Sequence, residues 1–193
     1  MKKKPIALLY VCTRNIDFFF ETLLKTHPVL YHLSHRVHNS SNALAEVPKA
    51  GAITVLTSNV FRGTSGELGV DGAPEKEMTG TKLAEIIKKK NPSAKVYLYS
   101  EKLTDSPIFD GVFKRDAIND TIPQDLQTLL DSVFVVPNQP YGTLRTLRDS
   151  LRQDKQHLHN APLSAVKKKL LQQKIAENTW QVALLTRVLK IPK

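Results

Sequence analysis

The chain has one cysteine, Cys12, so an internal disulfide is excluded and a reducing compartment fits. Cys12 closes an apolar run, where packing is its expected role. No apolar stretch approaches the ~18–20 residues that span a bilayer. The start, Met1 to Cys12, imitates a secretion signal only briefly: the apolar residues stop at Thr13-Arg14 with no small-residue cleavage pattern. A cytoplasmic protein that does not engage a membrane is expected. There is no Walker motif, and no Gly-x-Gly-x-x-Gly follows a strand. Gly63, Gly66, Gly69 and Gly72 are evenly spaced but belong to a loop. No Cys/His or Ser/His/Asp arrangement is suggested by residue order. Acid is scarce at one end: residues 140–193 carry eleven Lys/Arg against three Asp/Glu, whereas 1–139 carry 17 against 15. The net charge of +10 therefore sits mainly in the tail. Such a segment attracts polyanions or forms a solvated helical face.

What is present is enough for one domain and an appendage, 193 residues at ordinary hydrophobic content. Ile6–Cys12 reads as a buried parallel strand. Asp17–Lys25 reads as a helix, with Phe18, Phe19, Leu23 and Leu24 near a helical period and Pro28 closing it. Val29–Val37 alternates weakly and suggests a second strand. Ser41–Val47 suggests a short helix capped by Ser40 or Ser41. Ala52–Leu56 suggests a third strand. Residues 61–77, with four glycines and a proline, read as a long loop. Thr79 or Thr81 opens a helix that Asn91-Pro92 stops. Val96–Tyr99 and Val112–Phe113 are strands four and five, and Pro123–Phe134 is a helix. The alternation predicts an α/β fold, a doubly wound five-stranded parallel sheet with a C-terminal helical extension. Ligand sites in such folds lie at the carboxyl ends of the strands. Beyond it, Val135–Gly142 reads as a linker. Thr143–His159 and Pro162–Glu177 read as helices, and Asn178-Thr179 as a break that caps a last helix. The expected division is a domain over 1–136, a linker over 137–142 and a basic tail over 143–193.

Three segments resemble the response-regulator receiver family, which is flavodoxin-like. Glu77-Met78-Thr79-Gly80-Thr81-Lys82-Leu83-Ala84-Glu85-Ile86-Ile87 looks like the Met-Asp-Gly turn and helix of a receiver. Lys95-Val96-Tyr97-Leu98-Tyr99-Ser100 is similar to its fourth strand, which ends in a switch Ser or Thr. Asp110-Gly111-Val112-Phe113-Lys114-Arg115-Asp116 is similar to its fifth, which ends in a lysine. The resemblance spans roughly residues 5–134 and implies a place in two-component signal transduction.

It also implies what has changed. A receiver accepts a phosphoryl group on a carboxylate at the end of its third strand, beside a Mg²⁺ held by acids after the first. The matching positions here are Thr57, and Thr13 with Arg14. Arg115 stands for the lysine and Ser100 for the switch residue. A guanidinium at Arg14 disfavours a divalent cation rather than holding one, and threonine forms no acyl phosphate. A degenerate, phosphorylation-incompetent pseudo-receiver follows, with no catalytic residue, no metal and no cofactor. Its pocket is either closed and inert or binds a small anion through Arg14, Arg115, Thr57 and Ser100.

Residues 174–193 resemble the start of a Fis-type helix-turn-helix, with Leu189-Lys190-Ile191-Pro192-Lys193 at the matching end. The groove-reading helix of that motif should follow, but the sequence stops at Lys193, so the tail is expected to be a remnant that serves dimerisation, or else the likeness is accidental. Tail candidates for binding a partner or nucleic acid are Lys167, Lys168, Lys169, Lys174, Trp180 and Arg187, with Trp180 expected as a core or interface anchor. His32, His35 and His38 do not make a metal site if they lie on a strand, because His35 then points away from the other two.

The expectation is a non-catalytic signalling protein, a homodimer, acting through protein–protein contacts. Two alternatives stay open: a dimeric DNA-binding regulator using the tail, and a small enzyme on a flavodoxin-like sheet.

Overall fold

The structure is a computed structural model that describes residues 5–12, 18–59, 79–115 and 122–190. Five short strands are built from the apolar runs: β1 (Leu8–Val11), β2 (Ser34–Val37), β3 (Thr54–Thr57), β4 (Lys95–Ser100) and β5 (Gly111–Lys114). They form one sheet in the order β2-β1-β3-β4-β5, and every pairing is parallel. All of β1 and β3 is buried, as strands covered on both faces must be.

Alternation sorts the strand side chains into two cores. Leu9, Val11, Val55, Val96 and Leu98 meet Ala43, Leu83 and Ile87 on one face. Leu8, Tyr10, Leu56 and Tyr99 meet Phe19, Leu23, Leu126 and Leu130 on the other. The first face is therefore covered by α3 (Ser40–Glu46) and α4 (Gly80–Lys90). The second is covered by α1 (Phe18–Thr26) and α5 (Gln124–Val133). Each fully buried aliphatic side chain contributes about 1.5–3 kcal/mol to holding these layers together.

Several local readings need correction. The segment 29–37 is not one strand: α2 (Pro28–His32) precedes β2. Helix α1 does end at Thr26, just before Pro28, and Pro28 also opens α2 at its first turn, where the missing N–H is harmless. The cap of α3 is Asn39, whose side chain accepts from the Asn42 N–H, rather than Ser40 or Ser41. Thr79 does cap α4, accepting from the Lys82 N–H. The link from β4 to β5 carries no helix; Phe109 is buried from it and Asp110 ties it down. Asp110 accepts the Val96 N–H at 2.8 Å and pairs with Lys88 at 2.9 Å.

The tail is a helical hairpin. Helix α6 (Pro140–Asn160) begins inside the segment expected to be a linker, again with proline in its first turn. Helix α7 (Ala165–Val188) is unbroken at Asn178-Thr179. The Thr179 hydroxyl donates to the Ile175 carbonyl one turn back, so that pair sits within the helix rather than capping a new one. The last half of α7 packs onto the sheet domain: Leu184 joins the second core, and Trp180 packs against both. No described helix is long and apolar enough to cross a membrane.

Candidate functional site

The register carries chemistry to the carboxyl ends of the strands. Val11 pairs with Thr57, Thr57 with Leu98, and Ser100 with Lys114. Cys12, Thr57, Ser58, Ser100 and Arg115 therefore lie at one end of the sheet. The resemblance also places Thr13 and Arg14 there, but both lie outside the described residues, as does the loop 61–77.

Arg115 leaves β5 with its N–H donating to the Ser100 carbonyl at 3.0 Å. Its side chain turns into the protein, and the residue is 7% exposed. Nη1 donates to the Tyr10 hydroxyl at 3.3 Å and lies 3.6 Å from Cys12 Sγ. The guanidinium carbon stands 5.9 Å from the centre of the Tyr99 ring, within cation–π range. Tyr10, Phe19 and Tyr99 form an aromatic cluster with centroids 4.6–6.3 Å apart. Its ring faces and the Tyr10 hydroxyl make burial of the cation tolerable.

Thr57 is fully buried, and its hydroxyl donates to the Ser58 carbonyl at 3.2 Å. The Ser58 hydroxyl is buried with no hydrogen-bond partner among the described residues. Asn59 fixes the turn after β3: its amide donates to Thr104 Oγ1 at 2.7 Å and its carbonyl accepts the Gly80 N–H at 2.7 Å. Gly80 packs so tightly on the Ser58 carbonyl that a β-carbon there would overlap it. His38 Nδ1 donates to the Cys12 carbonyl at 3.1 Å, joining the end of β2 to the end of β1. This end of the sheet thus offers a cation, a thiol and hydroxyls. Among the described residues no group of three His, Cys, Asp or Glu is placed to hold a metal ion.

Cys12 was read from the sequence chiefly for packing, and its contact with Arg115 was not foreseen. Tyr10 and Cys12 are two apart on one strand and so share a face, which was the available signal.

The tail candidates separate. Lys167, Lys168 and Lys169 are exposed. Lys174 pairs with Asp154 of α6 at 3.0 Å. Trp180 and Arg187 are turned inward, at the opposite end of the sheet from Arg115. Trp180 Nε1 donates to the Ala52 carbonyl at 3.1 Å, just before β3. Arg187 Nη1 donates to the Pro5 carbonyl at 2.5 Å, just before β1, and burial lowers its pKa. Ser93, just before β4, donates to Glu177 at 3.3 Å. Helix α7 therefore lies across the amino-terminal ends of β1, β3 and β4.

A parallel sheet in the order 2-1-3-4-5 with helices on both faces is the flavodoxin-like, receiver-type fold. Among solved structures the chain is similar to the response regulator TrrA of Thermotoga maritima in complex with Mg²⁺ and a beryllium fluoride, at 16% identity and TM-score 0.46, over 66% of this chain and 97% of that one. It is similar to RcsB of Salmonella enterica serovar Typhimurium bound to a promoter, at 16% identity and TM-score 0.43, over 65% and 96%. A response regulator of Burkholderia pseudomallei with a phosphorylated aspartic acid matches at 13% identity and TM-score 0.41, over 95% and 92%. No protein-family model and no curated protein matches the chain.

Proposed function

We propose that this chain is a regulatory protein whose receiver-type domain works without accepting a phosphoryl group and acts through contacts with other proteins. The observation that carries this reading is Thr57. It ends β3, where the family resemblance expects a carboxylate, and its buried hydroxyl is committed to the Ser58 carbonyl. Arg115, standing where the family has its lysine, turns inward at the same end of the sheet and commits its guanidinium to the Tyr10 hydroxyl, Cys12 and the Tyr99 ring. The test is incubation with Mg²⁺ and acetyl phosphate, followed by intact mass measurement and an alkaline wash. An unchanged mass is expected. A base-labile phosphoryl adduct would overturn the reading.

A second reading, a regulator that binds DNA as a dimer through the tail over residues 143–193, is favoured by the exposed Lys167-Lys168-Lys169 run on α7. A salt-dependent mobility shift of duplex DNA supports it, and no binding at low salt removes it.

A further inference from the structure

We infer that the distal half of the α6–α7 hairpin grips the phosphate backbone of a duplex nucleic acid without reading its sequence, through Lys155, Lys167, Lys168 and Lys169. This rests on the second reading above and narrows it to one end of the hairpin.

Charge and packing select that end. Between Asp154 and Glu177 the sequence has five lysines and no acid. Lys155, Lys167, Lys168 and Lys169 are exposed, as is every residue from Ser164 to Leu170. The other basic and aromatic residues of α7 have partners within the chain. Lys174 is held by Asp154, Arg187 by the Pro5 carbonyl, and Trp180 by the Ala52 carbonyl. The basal half of α7 is therefore a seat on the sheet, and along α7 it is the distal half that presents cations to a partner; α6 also exposes Arg145, Arg148 and Arg152, spread along its length rather than in a run.

The lysine run lies in the first turns of an unbroken helix, and this sets the mode of binding at this end of the hairpin. A helix-turn-helix reads bases because a turn presents a second helix to the groove. No turn divides α7 between Ala165 and Val188. Phosphate contacts position a protein but carry no sequence information. Successive helical residues are turned by about 100°, so three consecutive lysines fan over about 200° and roughly two reach any one surface. With Lys155 from α6, contact with about two or three phosphates follows, and a log–log salt slope of about −2 to −3. A membrane surface fits less well. Val166 and Leu170 are the large apolar side chains exposed on α7, too few for a helix that beds an apolar face in lipid.

The experiment is fluorescence anisotropy of the full chain with labelled duplexes of two unrelated sequences, as DNA and as RNA, over a salt series. Equal affinity for the two sequences and the slope above are expected. The relative affinity of the DNA and RNA arms identifies the source of the phosphates. K167E/K168E/K169E should weaken binding by about tenfold or more. K25E/K102E/K114E changes the net charge equally on the sheet domain and should weaken it far less. V166S/L170S should bind as the wild type does. Failure to bind at low salt removes both this inference and the reading beneath it. A sequence preference removes the inference and leaves that reading standing. Equal losses in the two lysine triples, loss in V166S/L170S, or tighter binding to phosphatidylserine vesicles than to duplex would each overturn the site.

Discussion

Trp180 occupies the space that a β-carbon at Gly51 would need. An ideal Cβ there would lie 2.5 Å from the indole Cγ, and Gly51 itself has φ +108°, a conformation that side chains rarely adopt. The indole N–H is bonded to the next residue's carbonyl, so ring and loop fix each other. This contact seats α7 under the sheet.

Gly51→Ala should therefore cost about 1–3 kcal/mol from backbone strain, with the displaced indole adding to it. Trp180 is the sole tryptophan of the chain, so its emission reports the seat directly. A lower urea midpoint with a red-shifted native spectrum is expected. A native spectrum and midpoint equal to the wild type would refute the contact.

Arg115→Lys should destabilise the carboxyl end of the sheet by about 1–3 kcal/mol although charge is kept. An ammonium does not reproduce the planar fork that reaches the Tyr10 hydroxyl and stacks near Tyr99. Chemical denaturation measures it, and a conservative outcome within a few tenths of a kcal/mol would show that the fork does not matter.

Asp110 makes stability depend on pH. Burial alone would raise its pKa, but the Val96 N–H and the ammonium groups of Lys88 and Lys95 outweigh burial and hold it below the ordinary value. A depressed folded pKa gives stability that is full above the unfolded value of about 3.9 and is lost as pH falls through the folded one. Asp110→Asn should flatten that acid limb. Urea unfolding at stepped pH is the measurement, and an unchanged limb in the variant would contradict the assignment.

Asp154 interrupts a series of leucines on α6. Leu144, Leu147, Leu151 and Leu158 recur at spacings of three, four and seven, and Asp154 stands in the gap with its side chain 15% exposed. Its partner Lys174 is 56% exposed and stays hydrated without it. Asp154→Leu should therefore raise the melting temperature of the hairpin, because an ion pair with one partner in solvent contributes little and a leucine in the gap adds apolar packing. A fall in melting temperature would show that the pair is worth more than the leucine that replaces it.

The sheet was legible because β1, β3 and β4 are apolar runs bounded by clear breaks. Three elements were harder, each for a local reason. Val29, Tyr31 and Leu33 alternate like a strand, yet α2 buries Leu30 through a single turn too short for its period to show. Asn178-Thr179 is good capping chemistry, but tertiary packing along α7 overrides it, and Thr179 satisfies its hydroxyl within the helix. Gln139 and Pro140 read as linker until the proline is placed at a first turn. At the site, the strand ends brought Thr57, Ser100 and Arg115 together, whereas the Arg115–Cys12 contact joins residues 103 positions apart and leaves no trace in local pattern.

The seat of α7 gives the hairpin the mechanics of a lever. Its fulcrum is the stretch from Glu177 to Arg187, tied to the loops that enter β1, β3 and β4. Lys168 stands nine residues out from Glu177, about 13 Å along the axis. A rocking of about 10° at the fulcrum would carry that ammonium roughly 2–3 Å, close to the length of a hydrogen bond. Small adjustments where strands begin are thereby magnified at the end of the arm, far from the buried guanidinium on the opposite rim of the sheet.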